Sequence, residues 1–314
     1  MKVLVTGADG YIGRALVARL LSNDIDAVLG ATPISVMLID QHFAAPYTDA
    51  RVTALQGDIA DPELLHHATD GVDLVFHLAS IPGGAVVRDF ALGLRVNLQA
   101  TIALFESLRI RDRKPRVVFA STIGVYGVPM PEVIDEETLP SPSMSYGAQK
   151  LVGEILMSDY SLRGFIDGRA LRLPGIVARP KQPSGLLSAF ISDLIRDLTA
   201  GEKVVCPVAA DGKTWLMSRP CIVDNLLHAA ALGPQVSALQ RVWLLPVLHA
   251  SMGEVAAAIA RNEGPQVLQN VTYEPNAALQ AQFASYPPLQ CPNSMAAGFR
   301  HDGTLELLVK RALQ

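Results

Sequence analysis

Tyr146 and Lys150 stand four residues apart in the run YGAQK, so on a helix both project from one face. That pairing has a chemical use. A phenol is too weak an acid to serve as a base at neutral pH, and an ammonium beside it favours the phenolate. Upstream, Arg116 to Ser121 reads as a strand that runs into Thr122, Gly124 and Tyr126-Gly127, leaving hydroxyls at its carboxyl end. Such a hydroxyl, Thr122 first and Ser121 second, would bond a substrate oxygen and place its carbon for reaction.

A partner for that chemistry is written at the start of the chain, in KVLVTGADGYIGRALVARL. Lys2 to Thr6 is a β-branched run ending at Gly7, and from Tyr11 the apolar residues Ile12, Leu16, Val17 and Leu20 recur at helical spacing. Gly7, Gly10 and Gly13 cross the junction three apart. Gly7 suits a tight turn, Gly10 lets a pyrophosphate reach the main chain, and Gly13 lets the helix lie close to the strand. Tyr11 and Ile12 open the helix whose unpaired N–H groups would face the phosphates. The competing reading, a glycine-rich turn without a ligand, is disfavoured by the strand before, the helix after and Asp40 at the end of the next strand. Asp40 would accept bonds from the adenosine ribose and repel a 2′-phosphate, so NAD is the expected cofactor. Lys150 would bond the nicotinamide ribose, and Tyr146 would take the proton as hydride leaves the substrate.

The positioning elements follow in order. A polar connection, Ser22 to Ser35, leads to a strand at Val36 to Asp40, and a third strand spans Val52 to Gln56. Asp58, with Ile59 beside it, either bonds the adenine amino group or caps a helix that starts near Pro62. A fourth strand, Asp73 to Leu78, runs into Ala79 and Ser80, small enough for a cofactor to lie against. Leu78, Ala79 and Ser80 are therefore cofactor candidates, and Ser80 also a substrate candidate. His77 on that apolar strand reads as a satisfied core histidine. Val86 to Arg109 is one long helical pattern with Asn97 among apolar neighbours, where a buried amide needs partners. Ser143 or Ser145 opens the helix of Tyr146 and Lys150. Further on, helices are expected at Leu186 to Ala200, Ile222 to Leu232, Gly253 to Arg261 and Thr304 to Ala312, with strands at Lys203 to Pro207 and Val242 to Leu245.

Composition excludes several classes. The 314 residues are 50% hydrophobic and 18% charged, enough for a full core, and a net charge of −4 gives no basic field for nucleic acid. No apolar run approaches the ~18 residues of a membrane span, and Lys2 leads straight into a strand without a signal peptide. Cys206, Cys221 and Cys291 are odd in number with no close pair, which suits a reducing cytoplasm and neither a disulfide framework nor zinc. His66 and His67 are adjacent in a polar helix and point apart, so no metal site is expected.

These motifs in this order, TGADGYIG, Asp40, Asp58, HLAS at 77–80, Asn97, ASTIGVYG at 120–127 and YGAQK, resemble the extended short-chain dehydrogenase/reductase family in its NAD-dependent epimerase/dehydratase-like branch. The resemblance implies an α/β fold, a Rossmann doubly wound parallel sheet with a smaller C-terminal substrate-binding domain. It implies an NAD-binding domain at 1–172 and 217–250 and a substrate domain at 173–216 and 251–314. It places the catalytic hydroxyl on Thr122, the base on Tyr146 with Lys150, and the nicotinamide along Leu173, Gly175 and Ile176. It also implies a homodimer paired through the helices Val86 to Arg109 and Tyr146 to Leu162.

One departure bears on the substrate. Sugar-nucleotide epimerases usually carry an Asn shortly after the Arg of the next strand to hold a diphosphate, whereas this chain reads LRLPGIVARP with Pro174 there. Proline offers no side-chain donor and no N–H. The stretches from Arg179 to Glu202 and from Cys206 to Pro220 resemble the D-erythronate dehydrogenase subgroup, which implies oxidation of the 2-hydroxyl of a small sugar acid to a 2-keto acid. Arg179, Lys181 and Arg219 are the cations available for a carboxylate. Arg219 is preferred for its bidentate fork, against an ordinary ion pair as the alternative. Trp215 either walls the pocket or is core. An NAD-retaining epimerase and a non-catalytic NAD-binding protein stay open as alternatives.

Overall fold

A computed structural model describes residues 1–32, 35–111, 113–181, 187–233 and 240–314. Within them the chain divides into two compact units, one of 1–125, 142–172 and 223–243, the other of 126–141, 173–222 and 244–314. The expected break at 172/173 is a boundary between these units. The segments 126–141, 217–222 and 244–250, expected in the first body, fall in the second.

The first unit is built on a seven-stranded parallel sheet with helices against it. Its strands are β1 (Lys2–Thr6), β2 (Ser35–Asp40), β3 (Val52–Gln56), β4 (Leu74–His77), β5 (Arg116–Thr122), β6 (Asp167–Leu173) and β10 (Val242–Leu244), in the order β10-β6-β5-β4-β1-β2-β3. The order reverses beside β1, the switch at which open α/β sheets bind ligands beyond the strands' carboxyl ends. Parallel strands need both faces covered, hence the fully buried runs Val3 to Thr6 and Leu74 to His77. One core cluster joins Leu4, Val75 and Val117 of the strands to Leu104, Phe105 and Met157 of the flanking helices.

Two expectations change here. The long helix at Val86 to Arg109 is broken into the helices Gly83–Arg88 and Phe90–Gly93, a π-helical turn at Leu94–Gln99, and the helix Ala100–Arg109. Asp89 makes the first break, its side chain accepting from Leu92 N–H as a cap. The polar connection after Ser22 also holds a short helix, Ile25–Leu29, while Pro33 and Ile34 lie outside the described residues.

The second unit carries β7 (Gly175–Val177), β8 (Val204–Cys206), β9 (Lys213–Ser218), β11 (Leu248–Ser251) and β12 (Val271–Tyr273). β9 pairs in parallel with β7 and antiparallel with β11, and β8 pairs in parallel with β12. Its core packs Phe190, Leu194 and Leu198 of the helix Ala189–Thr199 with Val255 and Ile259 of Met252–Glu263 and Leu308 of Leu305–Ala312. Leu186, the expected start of the first of these helices, lies outside the described residues.

Candidate active site

Gly7 has φ +70°, and a Cβ there would stand 2.7 Å from the backbone N of Ala79. Gly13 is as constrained, since a Cβ on it would lie 2.2 Å from the carbonyl O of Gly7. The turn after β1 is thus pressed between the end of β4 and the helix Tyr11–Leu20, whose N-cap, Gly10, makes no side-chain bond. The helix start keeps its N–H groups without a side-chain cap, as a pyrophosphate site requires. At the end of β2, Asp40 accepts from Asp9 N–H at 2.8 Å and Gln41 N–H at 2.8 Å, and Asp9 in turn accepts from Ala44 N–H at 3.1 Å. Each carboxylate oxygen retains a lone pair for a ribose hydroxyl.

Asp58 accepts from Ala60 N–H at 2.9 Å and pairs with Arg95, while the helix Pro62–Ala68 is capped by Asp61. The capping alternative for Asp58 is therefore wrong, because Asp61 accepts from Glu63 N–H instead. Ile59 is buried beside it. At the end of β4, Ser80 donates to Asn97 Oδ1 at 3.1 Å, and Asn97 also accepts from Ile81 N–H and donates to Ile81 O and Gln149 Oε1. Asn97 is fully buried with its amide engaged on both sides, which gives the π-helical turn its purpose. His77 is the core histidine expected. Its ring is bonded to Thr6 at 2.7 Å and Thr101 at 2.9 Å, and burial, then the charge of Lys150, holds its pKa down at about 3.

The helix Ser145–Leu162 carries Tyr146 and Lys150 and opens on Ser145, as expected, with Met144 at its N-cap. Two glycines bring it against β5. A Cβ on Gly147 would stand 1.9 Å from Gly124 O, and one on Gly153 would stand 2.7 Å from the Phe119 ring. A side chain built at Gly124 would meet Thr122 Oγ1 at 3.3 Å and Tyr146 Cδ1 at 3.8 Å, so hydroxyl and phenol border one space. Thr122 Oγ1 accepts from Gly124 N–H at 3.0 Å, whereas the Ser121 hydroxyl is committed to buried Glu154. Lys150 is buried with its ammonium 4.8 Å from the centroid of Phe119. Burial pulls its pKa down to about 7, against the raising charge of Glu154. Among the described residues that ammonium has no hydrogen-bond acceptor. The glycine cradle, the uncapped helix start and this ammonium fit a dinucleotide.

In the second unit, Leu173 and Ile176 are buried, Gly175 less so, and Pro174 between them is buried. Trp215 takes the core alternative, fully buried against Tyr286 with its indole N–H donating to Pro287 O at 2.7 Å. Lys181 is paired with Asp197 at 2.7 Å, and Arg179 N–H donates to Ser192 at 3.0 Å. Arg219 begins the helix Arg219–Ala231, just after Ser218, whose N–H and hydroxyl both donate to buried Asp302. Glu154, Arg172, Gln149 and Asp9 were missed in the sequence. The signal for Glu154 was present, since it follows Lys150 by four and so shares its helix face.

Sheet order, glycine cradle and the Tyr-Lys helix define a nucleotide-dependent Rossmann enzyme, and the chain belongs to the NAD dependent epimerase/dehydratase family, whose model matches residues 3–216. It is an NAD-dependent oxidoreductase. Over its whole length the chain is 37% identical to a D-erythronate dehydrogenase of Cupriavidus necator, covering 98% of that protein. It is 30% identical to a D-erythronate dehydrogenase of Haemophilus influenzae, covering 99% of it. The solved structure of a nucleoside-diphosphate-sugar epimerase from Agrobacterium tumefaciens is similar with a TM-score of 0.91 and 34% identity, over 98% of this chain and 92% of that one. No helix among the described residues is long and apolar enough to cross a membrane, and no metal-binding cluster occurs among them.

Proposed function

We propose that this chain oxidises the 2-hydroxyl of a small, D-erythronate-like sugar acid to the 2-keto acid, with NAD bound in the glycine cradle. Bound NAD supplies a hydride acceptor. The chain's own residues do the rest. Thr122 Oγ1 accepts from Gly124 N–H, and its hydroxyl hydrogen donates to the substrate oxygen. Tyr146, as phenolate, takes the hydroxyl proton, and the Lys150 ammonium favours that phenolate. Asp40 holds the adenosine ribose. Arg219 is the cation assigned to the substrate carboxylate, on a helix start that Asp302 fixes through Ser218. The three free, buried cysteines accord with a reducing, cytoplasmic setting.

The observation that carries the acid over a sugar nucleotide is Pro174, which removes a side-chain donor where the resembling epimerases hold a diphosphate. The full-length relatives named D-erythronate dehydrogenases support the same choice. The likeness to a nucleoside-diphosphate-sugar epimerase favours the second reading, an epimerase that retains its NAD. NADH release measured over four- to six-carbon aldonic acids, beside UDP- and dTDP-sugars, separates them. Release with an acid is expected. Turnover of a nucleotide sugar with silence on every acid would restore the epimerase.

A further inference from the structure

Glu154 is a carboxylate buried on the catalytic helix, one turn past Lys150, and the steps proposed above make no use of it. Its Oε1 accepts the hydroxyl of Ser121, the residue before Thr122 on β5. Arg172 of β6 grips it with two nitrogens, Nη2 at 2.8 Å from Oε2 and Nε at 3.1 Å from Oε1. Resting on the reading of Tyr146 and Lys150 as catalytic, we propose that Glu154, clamped by Arg172, is a positioning residue that ties the end of β5 to the catalytic helix and sustains the charge of Lys150.

Desolvating a buried carboxylate and guanidinium offsets much of what their pairing returns, so stability alone is a weak reason for the pair. Here the carboxylate holds Arg172 and the hydroxyl of Ser121, the residue before Thr122, and lies one helical turn from Lys150, on which its charge acts. Lys150 needs such a neighbour. Its ammonium sits over an apolar ring, where burial favours the neutral amine, and a neutral amine would leave a Tyr146 phenolate without a counter-charge.

The charges around Lys150 are few enough to assign. Its own helix supplies Tyr146 and Glu154, β5 supplies the Phe119 ring, and β4 supplies His77, neutral at working pH. The π-helical turn packed on this helix brings uncharged Asn97 and Gln149's partner bond, with Arg95 turned to Asp58. On the helix Ala100–Arg109, Glu106 is engaged by Arg109 and the Tyr160 hydroxyl, and Arg88 of Gly83–Arg88 is exposed. Glu154 is the neighbour that raises the basicity of Lys150, and Arg172 competes for it.

The sign of each substitution follows. Glu154→Gln keeps the shape and removes the charge, so Lys150 turns neutral at lower pH and the alkaline limb of the kcat profile moves down by about one pH unit. Arg172→Gln releases Glu154 to act on Lys150 alone, and the limb moves up. The same midpoints are read without turnover in the cofactor-free protein, from the pH dependence of the Lys150 side-chain NMR signals. Opposite movements in the two variants are expected in both readouts. Should Glu154→Gln fail to fold beside an unpaired Arg172, the double variant Glu154→Gln, Arg172→Gln removes both charges and is expected to show the downward shift. Variants that fold and lose turnover with limb and midpoint unmoved would reduce Glu154 to a packing role and overturn the proposal. Shifted midpoints with turnover indifferent to Tyr146→Phe would leave it standing and remove the catalytic reading instead.

Discussion

Tyr146 borders the space beside Gly124 that it shares with the Thr122 hydroxyl, so removing its phenol oxygen leaves ring packing and neighbouring hydroxyl in place. Tyr146→Phe is expected to lower kcat by at least ~10²-fold, the usual contribution of a general base, with NAD affinity unchanged. Stopped-flow turnover beside a binding titration checks this, and near-normal turnover would displace Tyr146 from the role. Asp40 invites a second test at the same scale. Its carboxylate is locked by Asp9 and Gln41 N–H groups, with the Asp9 carboxylate close by, so a 2′-phosphate would meet two like charges. Asp40→Ala is expected to narrow the ratio of NAD to NADP affinity by about tenfold, or ~1.4 kcal/mol. Fluorescence titration with each cofactor reads it, and an unchanged ratio would assign the preference elsewhere.

At the scale of elements, β1, β4 and the helix Ala100–Arg109 are joined by the buried chain Thr6, His77, Thr101. The free His77 side chain, of pKa near 6.5, is held neutral here with its pKa near 3, so the unfolded chain binds its proton first as pH falls. His77 therefore contributes stability that is whole above about pH 6.5 and is lost progressively toward pH 3. The stability advantage of the native chain over His77→Gln should shrink as pH falls from 7 to 4, in urea unfolding at each pH. A constant gap would mean that the imidazole takes up its proton as readily in the folded chain as in the unfolded one. This element scale is also where sequence reading stops. β1, β3 and the Tyr-Lys helix were legible because each carries its own period and its own glycines. The break of the long helix was not legible, because Asn97 is turned inward by bonds to Ser80, Ile81 and Gln149, partners far away in the chain. The short strands β7, β9 and β11 exist through pairing with one another, which no local pattern announces. The pairing of Glu154 with Arg172 was hidden for the same reason, the two being eighteen residues apart and meeting only across helix and sheet, although the spacing of Glu154 from Lys150 was itself legible.

At the scale of the whole molecule, the outer faces of the helices at 83–109 and 145–162 hold more apolar surface than the first unit's core uses. On these helices Phe105 is fully buried, whereas Ile102 and Ile155 are exposed. Val87, Phe90, Val152 and Leu162 join them, with Phe90 57%, Ile155 61% and Leu162 78% exposed. A monomer rarely leaves such a set on adjoining helices, and a two-fold axis would let the same faces cover each other. Stable pairing needs on the order of 800 Å² from each partner, which two multi-turn helices can supply. A homodimer is therefore expected in sedimentation at micromolar concentration. Ile155→Asp, which places a charge on an exposed apolar position without touching the core, should shift the population to monomer while leaving thermal unfolding of the subunit cooperative. Native protein that sediments only as a monomer, or an Ile155→Asp variant that still sediments as a dimer, would move the interface away from these helices or remove it.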